Sequence, residues 1–244
     1  MGRAVVVQCG TSRVRVGPWR GHPHIAHLAP FPGRPPSESG VRDVLRDLAA
    51  QGYREIITSA LAEGEQEPFC GAGFEVHERL HLLRHDLGRI EGEAPPVRLR
   101  RARRADRARV LRVDADAFSA FWRLDETGLV DALSATPAVR FRVAPVGRRE
   151  IQGYAVWGRA GSVAYLQRLA VAPDAQRRGV GTGLVHDGLS WARRRHVDHV
   201  LVNTQEDNDT ALGLYERVGF RRQEHGLAVL SRSLTDDVGA GRPA

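Results

Sequence analysis

Residues 166–189 read LQRLAVAPDAQRRGVGTGLVHDGL: an alternating apolar run, a short glycine-containing loop, and the start of a helix with one apolar face. The alternation predicts a strand over 163–171, with Val163, Tyr165, Leu169 and Val171 on one face. Beyond Pro173 the spacing predicts a helix from about Gly181 to Arg195, its buried face built from Leu184, Val185, Leu189 and Ala192. Between them lies Gln176-Arg177-Arg178-Gly179-Val180-Gly181. Gly179 and Gly181 let backbone N–H groups converge on an anion with no Cβ in the way. A helix N-terminus adds roughly half a positive charge at the same place. Arg177 and Arg178 add cationic donors. The physics is that of a pyrophosphate site.

Two phosphate-binding motifs can be tested against this loop. A P-loop requires a lysine, and the chain has none: all 36 of its basic residues are arginines. A dinucleotide fingerprint requires G-x-G-x-x-G, which Gly179-Val180-Gly181-Thr182-Gly183 does not satisfy. Further along, Asn208–Phe220 reads NDTALGLYERVGF. Together the two segments resemble the GNAT N-acetyltransferase superfamily, whose loop reads Q/R-x-x-G-x-G/A and whose later segment reads N-x-x-A-x-x-L-Y-x-x-x-G-F. Asn208, Ala211, Leu214, Tyr215, Gly219 and Phe220 all fall on the second pattern.

The resemblance covers roughly 96–234 and implies an α/β fold of the α+β mixed-sheet kind, with acetyl-CoA as cosubstrate. It implies that Gln176, Arg177, Arg178, Gly179, Val180, Gly181 and Thr182 hold the pyrophosphate. Leu169-Ala170-Val171 would pair with the pantetheine arm as an added strand, and the Val171 amide would polarise the thioester carbonyl. Asn208 would contact the cofactor, and Tyr215 would protonate the departing thiolate as an amine attacks in a ternary complex. Tyr215 could equally be a packing residue. In relatives that acetylate ribosomal protein N-termini, a glutamate lies five residues before the motif asparagine; here that position is Asn203. Glu206, Gln167 through a water, and Glu150 are the candidates for the base, Glu206 first among them.

Elsewhere strands are expected at 97–100, 139–144, 151–157, 199–204 and 227–234, and helices near 105, over 125–133 and over 210–218. A proline-rich loop is expected at 28–38 and a break at 91–96. The halves resemble each other: 41–61 has the helix-then-strand pattern of 185–205, Gly73-Phe74 matches Gly219-Phe220, and 80–87 matches 227–234. The expected organisation is a degenerate GNAT-like copy at 1–95, a catalytic domain at 96–234 and a frayed tail at 235–244. The first copy lacks the loop and is expected to bind no cofactor. In layout the chain resembles the mycothiol synthases.

Composition narrows the alternatives. The 244 residues are 42% hydrophobic and 27% charged, as in a globular protein, with no stretch apolar enough for a membrane span. Cys9 and Cys70 are too few for a disulfide framework, and the start lacks an apolar signal run, so a reducing cytoplasm is expected. The net charge of +7 favours an anionic ligand. Eight arginines at 98–112 raise nucleic acid as a partner, but no aromatics interleave with them, so a solvated strand and helix is preferred. His77-Glu78-Arg79-Leu80-His81 spells a zinc-protease motif if helical, whereas the internal repeat puts it on a strand. His22, His24 and His27 read as loop histidines. No metal site is expected. The partners expected are acetyl-CoA and an amine acceptor, in a monomer or dimer. The competing reading is a catalytically weak acyl-CoA-binding or nucleic-acid-binding module on the same scaffold.

Overall fold

A computed structural model describes residues 4–31, 33, 35–147 and 150–234; the expected tail at 235–244 lies outside these. Contacts divide the chain into two compact units, Met1–His81 with Glu224–Ala244, and Leu82–Gln223.

The first unit opens with three antiparallel strands, β1 (Val5–Cys9), β2 (Ser12–Trp19) and β3 (His22–Pro30). Helix α1 (Glu38–Ala50) leads to β4 (Glu55–Thr58), which pairs parallel with β3. The two-residue β5 (Leu61–Ala62), α2 (Glu63–Gly71) and β6 (Glu75–His85) follow. The α1 face buries Val41, Val44, Leu45 and Leu48 against Val14, Val16, Ala26, Leu28 and Ile56 of the sheet. The expected 28–38 loop therefore begins later, since Leu28 to Pro30 complete β3. His22, His24 and His27 also lie on β3 rather than in a loop. A register shift against β2 separates His22 from Ala26 and His27, and the His27 ring lies 5.2 Å from the Trp19 ring. His77 and His81 lie on β6, an extended strand, and not on a helix.

The second unit repeats this order. After β7 (Arg100–Arg101) come α3 (Arg107–Ala117), α4 (Glu126–Ser134), then the antiparallel β8 (Ala138–Val146), β9 (Glu150–Ala160) and β10 (Val163–Val171). Helix α5 (Val180–Arg193) leads to β11 (His199–Gln205), parallel to β10, and α6 (Asp209–Arg217) precedes β12 (Arg221–Arg222). The internal repeat thus holds as topology: three strands, helix, parallel strand, helix. On α5, Leu184, Val185, Leu189 and Ala192 are buried, together with Trp157, Ala164, Leu166, Val200 and Val202 of the sheet. Gly188 is needed there, because a Cβ would come within 1.9 Å of the Trp157 ring. The other face packs Val110, Val113 and Leu129 against Val143, Tyr154 and Val156.

Three expectations shift. The strand expected over 97–100 reduces to Arg100–Arg101. Leu169 and Val171 do not share a face with Val163 and Tyr165; a bulge between Leu166 and Arg168 reverses the alternation and sends them toward α5 with Ala164 and Leu166. The contact division also runs elsewhere than the expected break at 95/96. Glu91 donates its amide to the Val218 carbonyl, while β13 (Leu227–Ser233) pairs with β4, β5 and β6.

Buried histidines give the protein an acid-side weakness. His85 and His186 are 2% and 7% exposed, and burial holds both below the ordinary value of 6.5. Burial, then Arg20 and Arg15, push His27 down to about 4. Below 6.5 the unfolded chain takes protons that the folded chain refuses, so stability is complete above 6.5 and falls as pH drops toward 4. Carboxylates such as Asp106, held below 3.8 by the Arg100 hydrogen bond, lose their contribution only at still lower pH. Denaturant midpoints should therefore be flat from pH 8 to 7 and fall between 6.5 and 4.5. A flat profile down to 4.5 would mean that these histidines are not buried as neutral groups.

Candidate functional site

The candidate site begins where two strands part. β10 pairs with β11 only at Val163, Ala164 and Tyr165, then continues to Val171 without it. Ala172 donates its amide to the Gln152 carbonyl at 2.9 Å. Amides alternate sides along a strand, so Ala170 also faces β9, while the Leu169 and Val171 amides face the gap toward β11. Of the three residues expected to meet the arm, Leu169 and Val171 therefore offer backbone groups, and Ala170, buried against β9, does not.

At the open end of the gap, a single 3-10 turn (Pro173–Ala175) leads into the loop. Arg177 (φ 59°) and Gly179 (φ 81°) are both left-handed, which folds the loop back so that successive N–H groups point the same way. Gly179 caps α5 with no side-chain acceptor for the first-turn amides of Val180, Gly181 and Thr182. These are the orphan donors every helix start presents. Gln176, Arg177 and Arg178 are exposed around them, and Gln176 Nε2 donates to the Val171 carbonyl at 3.3 Å, tying loop to strand. A Cβ on Gly181 would lie 3.2 Å from Leu214 and 3.7 Å from Val171. The 176–182 residues thus surround one cluster of backbone donors.

Across the gap, Asn208 caps α6, its Oδ1 accepting the Ala211 amide at 3.0 Å; its NH₂ group is left for other partners. Tyr215 is 5% exposed on α6, 5.7 Å from the Phe220 ring. Burial pushes its phenol above the ordinary range, with Arg168 pulling the other way, so it carries its proton at neutral pH. Glu206 sits exposed in the turn after β11. Glu150, also exposed, pairs with Arg112 at 3.3 Å. Gln167 occupies the bulge, its Oε1 buried and without a donor among the described residues.

One constellation has no sequence signal. Asp114, fully buried on α3, accepts from Arg168 Nε and Nη2 at 2.7 and 2.9 Å, from the Leu124 amide at 2.6 Å, and from the Tyr154 hydroxyl. Arg168 also donates to the Trp122 carbonyl at 2.7 Å and stacks 3.4 Å from the Phe118 ring centre. The network ties the 118–124 segment to β10 beside the bulge. By contrast, the arginine-rich 98–112 stretch is partly engaged in ion pairs, Arg100 and Arg109 with Asp106 and Arg112 with Glu150. Among the described residues no cluster of metal-ligating groups occurs.

Comparison with known proteins matches residues 108–220 to the acetyltransferase (GNAT) family. The chain is similar to the peptidyl-lysine N-acetyltransferase YjaB of Escherichia coli K12, 33% identical over 137 residues, 54% of this chain and 78% of that one. It is 44% identical over 54 residues to the mycothiol acetyltransferase of Rhodococcus jostii, 22% of this chain. That match spans just 18% of the mycothiol acetyltransferase's length. A tandem GNAT protein from the clavulanic acid biosynthesis pathway superimposes with a TM-score of 0.62 at 12% identity, covering 91% of this chain and 78% of that one.

Proposed function

The chain belongs to the GNAT acetyltransferase family, and from that premise we propose that its Leu82–Gln223 unit transfers an acetyl group from acetyl-CoA to a primary amine by direct attack in a ternary complex. The observation that carries this is the β10–β11 gap opening onto an uncapped helix start. The amides of residues 179–182, with Arg177 and Arg178, bind the pyrophosphate. The Leu169 and Val171 amides bind the pantetheine arm. Leu169 lies nearer the closed end of the gap, so its amide is better placed than that of Val171 to polarise the acyl carbonyl. The Asn208 NH₂ group contacts the arm across the gap, and Tyr215 gives its proton to the leaving thiolate.

The first unit takes no part in cofactor binding in this proposal. Its parallel pair β3–β4 is joined through Ile25–Leu28, and Ser59 continues the ladder by donating to the Leu28 carbonyl at 3.1 Å. The start of α1 is already capped, with Ser37 Oγ accepting the Gly40 amide at 3.2 Å. Glu38 follows in its first turn, where a phosphate would be repelled. A Cβ on Gly40 would meet the Gly10 backbone at 2.3 Å, which leaves no room for a ligand.

Calorimetric titration of acetyl-CoA tests both statements. One site per chain is expected; two sites would return the first unit to function, and none would remove the transferase reading. In the same protein Tyr215→Phe should lower thiol release on the order of 100-fold, with acetyl-CoA affinity within twofold. An unaltered rate would leave Tyr215 as a packing residue.

A further inference from the structure

Resting on that transferase reading, we propose that Arg168 is a positioning residue for the acceptor: its guanidinium fork pins the 118–124 segment against β10 as one wall of the acceptor cleft. Affinity for the amine then depends on this side chain, and affinity for acetyl-CoA does not. Ala164, Leu166, Leu169 and Val171 of β10 pack with the α5 core, which fills one face of the sheet beside the β10–β11 gap. An amine therefore approaches a thioester in the gap from the opposite face. Arg168 belongs to that face. It stands opposite Val156 in the β9–β10 register, and Val156 packs with Val110 and Val113 of α3. The next residue along β10 is Leu169, whose amide faces the gap. A segment held against the Arg168 side chain thus lies beside the path to the acyl carbonyl.

The segment so held is the connection between α3 and α4, whose regular structure is a single 3-10 turn, Ala120–Trp122. It is tied to the body of the unit at three points. The Phe118 ring stacks on the Arg168 guanidinium, the Trp122 carbonyl accepts from Arg168 Nη2 at 2.7 Å, and the Leu124 amide donates to Asp114 Oδ1 at 2.6 Å. All three ties run through the Asp114–Arg168 pair. Asp114 accepts from Nε and Nη2 of the fork, which fixes the guanidinium plane so that it can stack on Phe118 and reach the Trp122 carbonyl together. The Arg168 side chain is largely buried, so water competes little for these bonds. A lysine here would keep the charge beside Asp114 but not the flat, five-donor fork. That distinction matters because the charge has a second reach. Burial raises the Tyr215 phenol, and the Arg168 charge draws it back. Charge and fork are separable by substitution, and the proposal rests on the fork.

The test is Arg168→Lys, assayed by thiol release with amino-acid amides and with Nα-acetylated lysine peptides as acceptors. For whichever probe the parent turns over, KM should rise about tenfold or more, with kcat within about threefold and acetyl-CoA affinity within about twofold. Backbone amides of 118–124 should exchange hydrogen about tenfold faster or more, while those of α5 keep the parent rate. Should the lysine variant fold poorly, the pair Asp114→Asn with Arg168→Met removes both buried charges and keeps an acceptor for the Tyr154 hydroxyl and the Leu124 amide. It should show the same rise in KM. An unchanged KM beside faster exchange would mean that the segment does not border the acceptor. A fall in kcat at unchanged KM would mean that Arg168 acts through Tyr215. Either result overturns the proposal. Parent protein that binds acetyl-CoA and turns over neither probe would remove the transferase reading itself, and this inference with it.

Discussion

Gly181→Asp should abolish acetyl-CoA binding while leaving the protein folded. Gly181 is the second residue of α5, where backbone N–H groups point out of the helix without partners. A carboxylate there sits within a few ångströms of the position a phosphate would take. Two like charges about 4 Å apart near a protein surface repel by about 4 kcal/mol, roughly a 1000-fold loss of affinity. The new side chain is also crowded by Leu214 and Val171. The same charge stabilises a helix start by about 0.3–1 kcal/mol, so the thermal midpoint should hold or rise. Gly181→Ala, which adds bulk without charge, should lose much less. Acetyl-CoA affinity unchanged in the aspartate variant would mean that the pyrophosphate lies elsewhere.

Asp114→Ala should strongly destabilise the second unit. It leaves the Arg168 guanidinium, whose side chain is 11% exposed, without its counter-ion, and the Tyr154 hydroxyl without an acceptor. Removing one partner of a buried ion pair costs about 3–5 kcal/mol. The thermal midpoint should drop on the order of 10 °C. Asp116→Ala, two residues along the same helix and exposed, should stay within about 0.5 kcal/mol of the parent. Equal midpoints for the two variants would show that the network contributes nothing to folding.

The contrast between these two sites explains what the sequence could reveal. The loop, the strand before it and the helix after it are contiguous, and their signals are local: alternation, glycine spacing, helical periodicity. Residues 176–182 and the α5 core could therefore be read directly. The repeat was legible too, because Val41–Leu61 and Val185–Gln205 keep the same pattern through α1–β4 and α5–β11. Asp114, Tyr154 and Arg168 are 40 and 54 residues apart, and no local pattern links an aspartate on a helix to an arginine on a strand. The bulge at Gln167 was hidden for a related reason. Alternation counts residues, and an extra residue leaves no mark until the partner strand is known, so Leu169 and Val171 were assigned to the wrong face. The role of β13 was likewise beyond local reading, since pairing with β4, β5 and β6 depends on residues more than 140 positions earlier.

The parting of β10 from β11 also creates a bare edge inside a sheet. Bare edges recruit foreign strands, and this is a common route to aggregation. Here the hazard is contained by length. The bulge at Gln167 interrupts the ladder at one end, and Pro173, which has no N–H to donate, follows closely at the other. Between them Leu169 to Val171 present too few backbone groups to hold a stray polypeptide, yet enough to receive a short amide-bearing arm. An opening this brief stays closed to self-assembly.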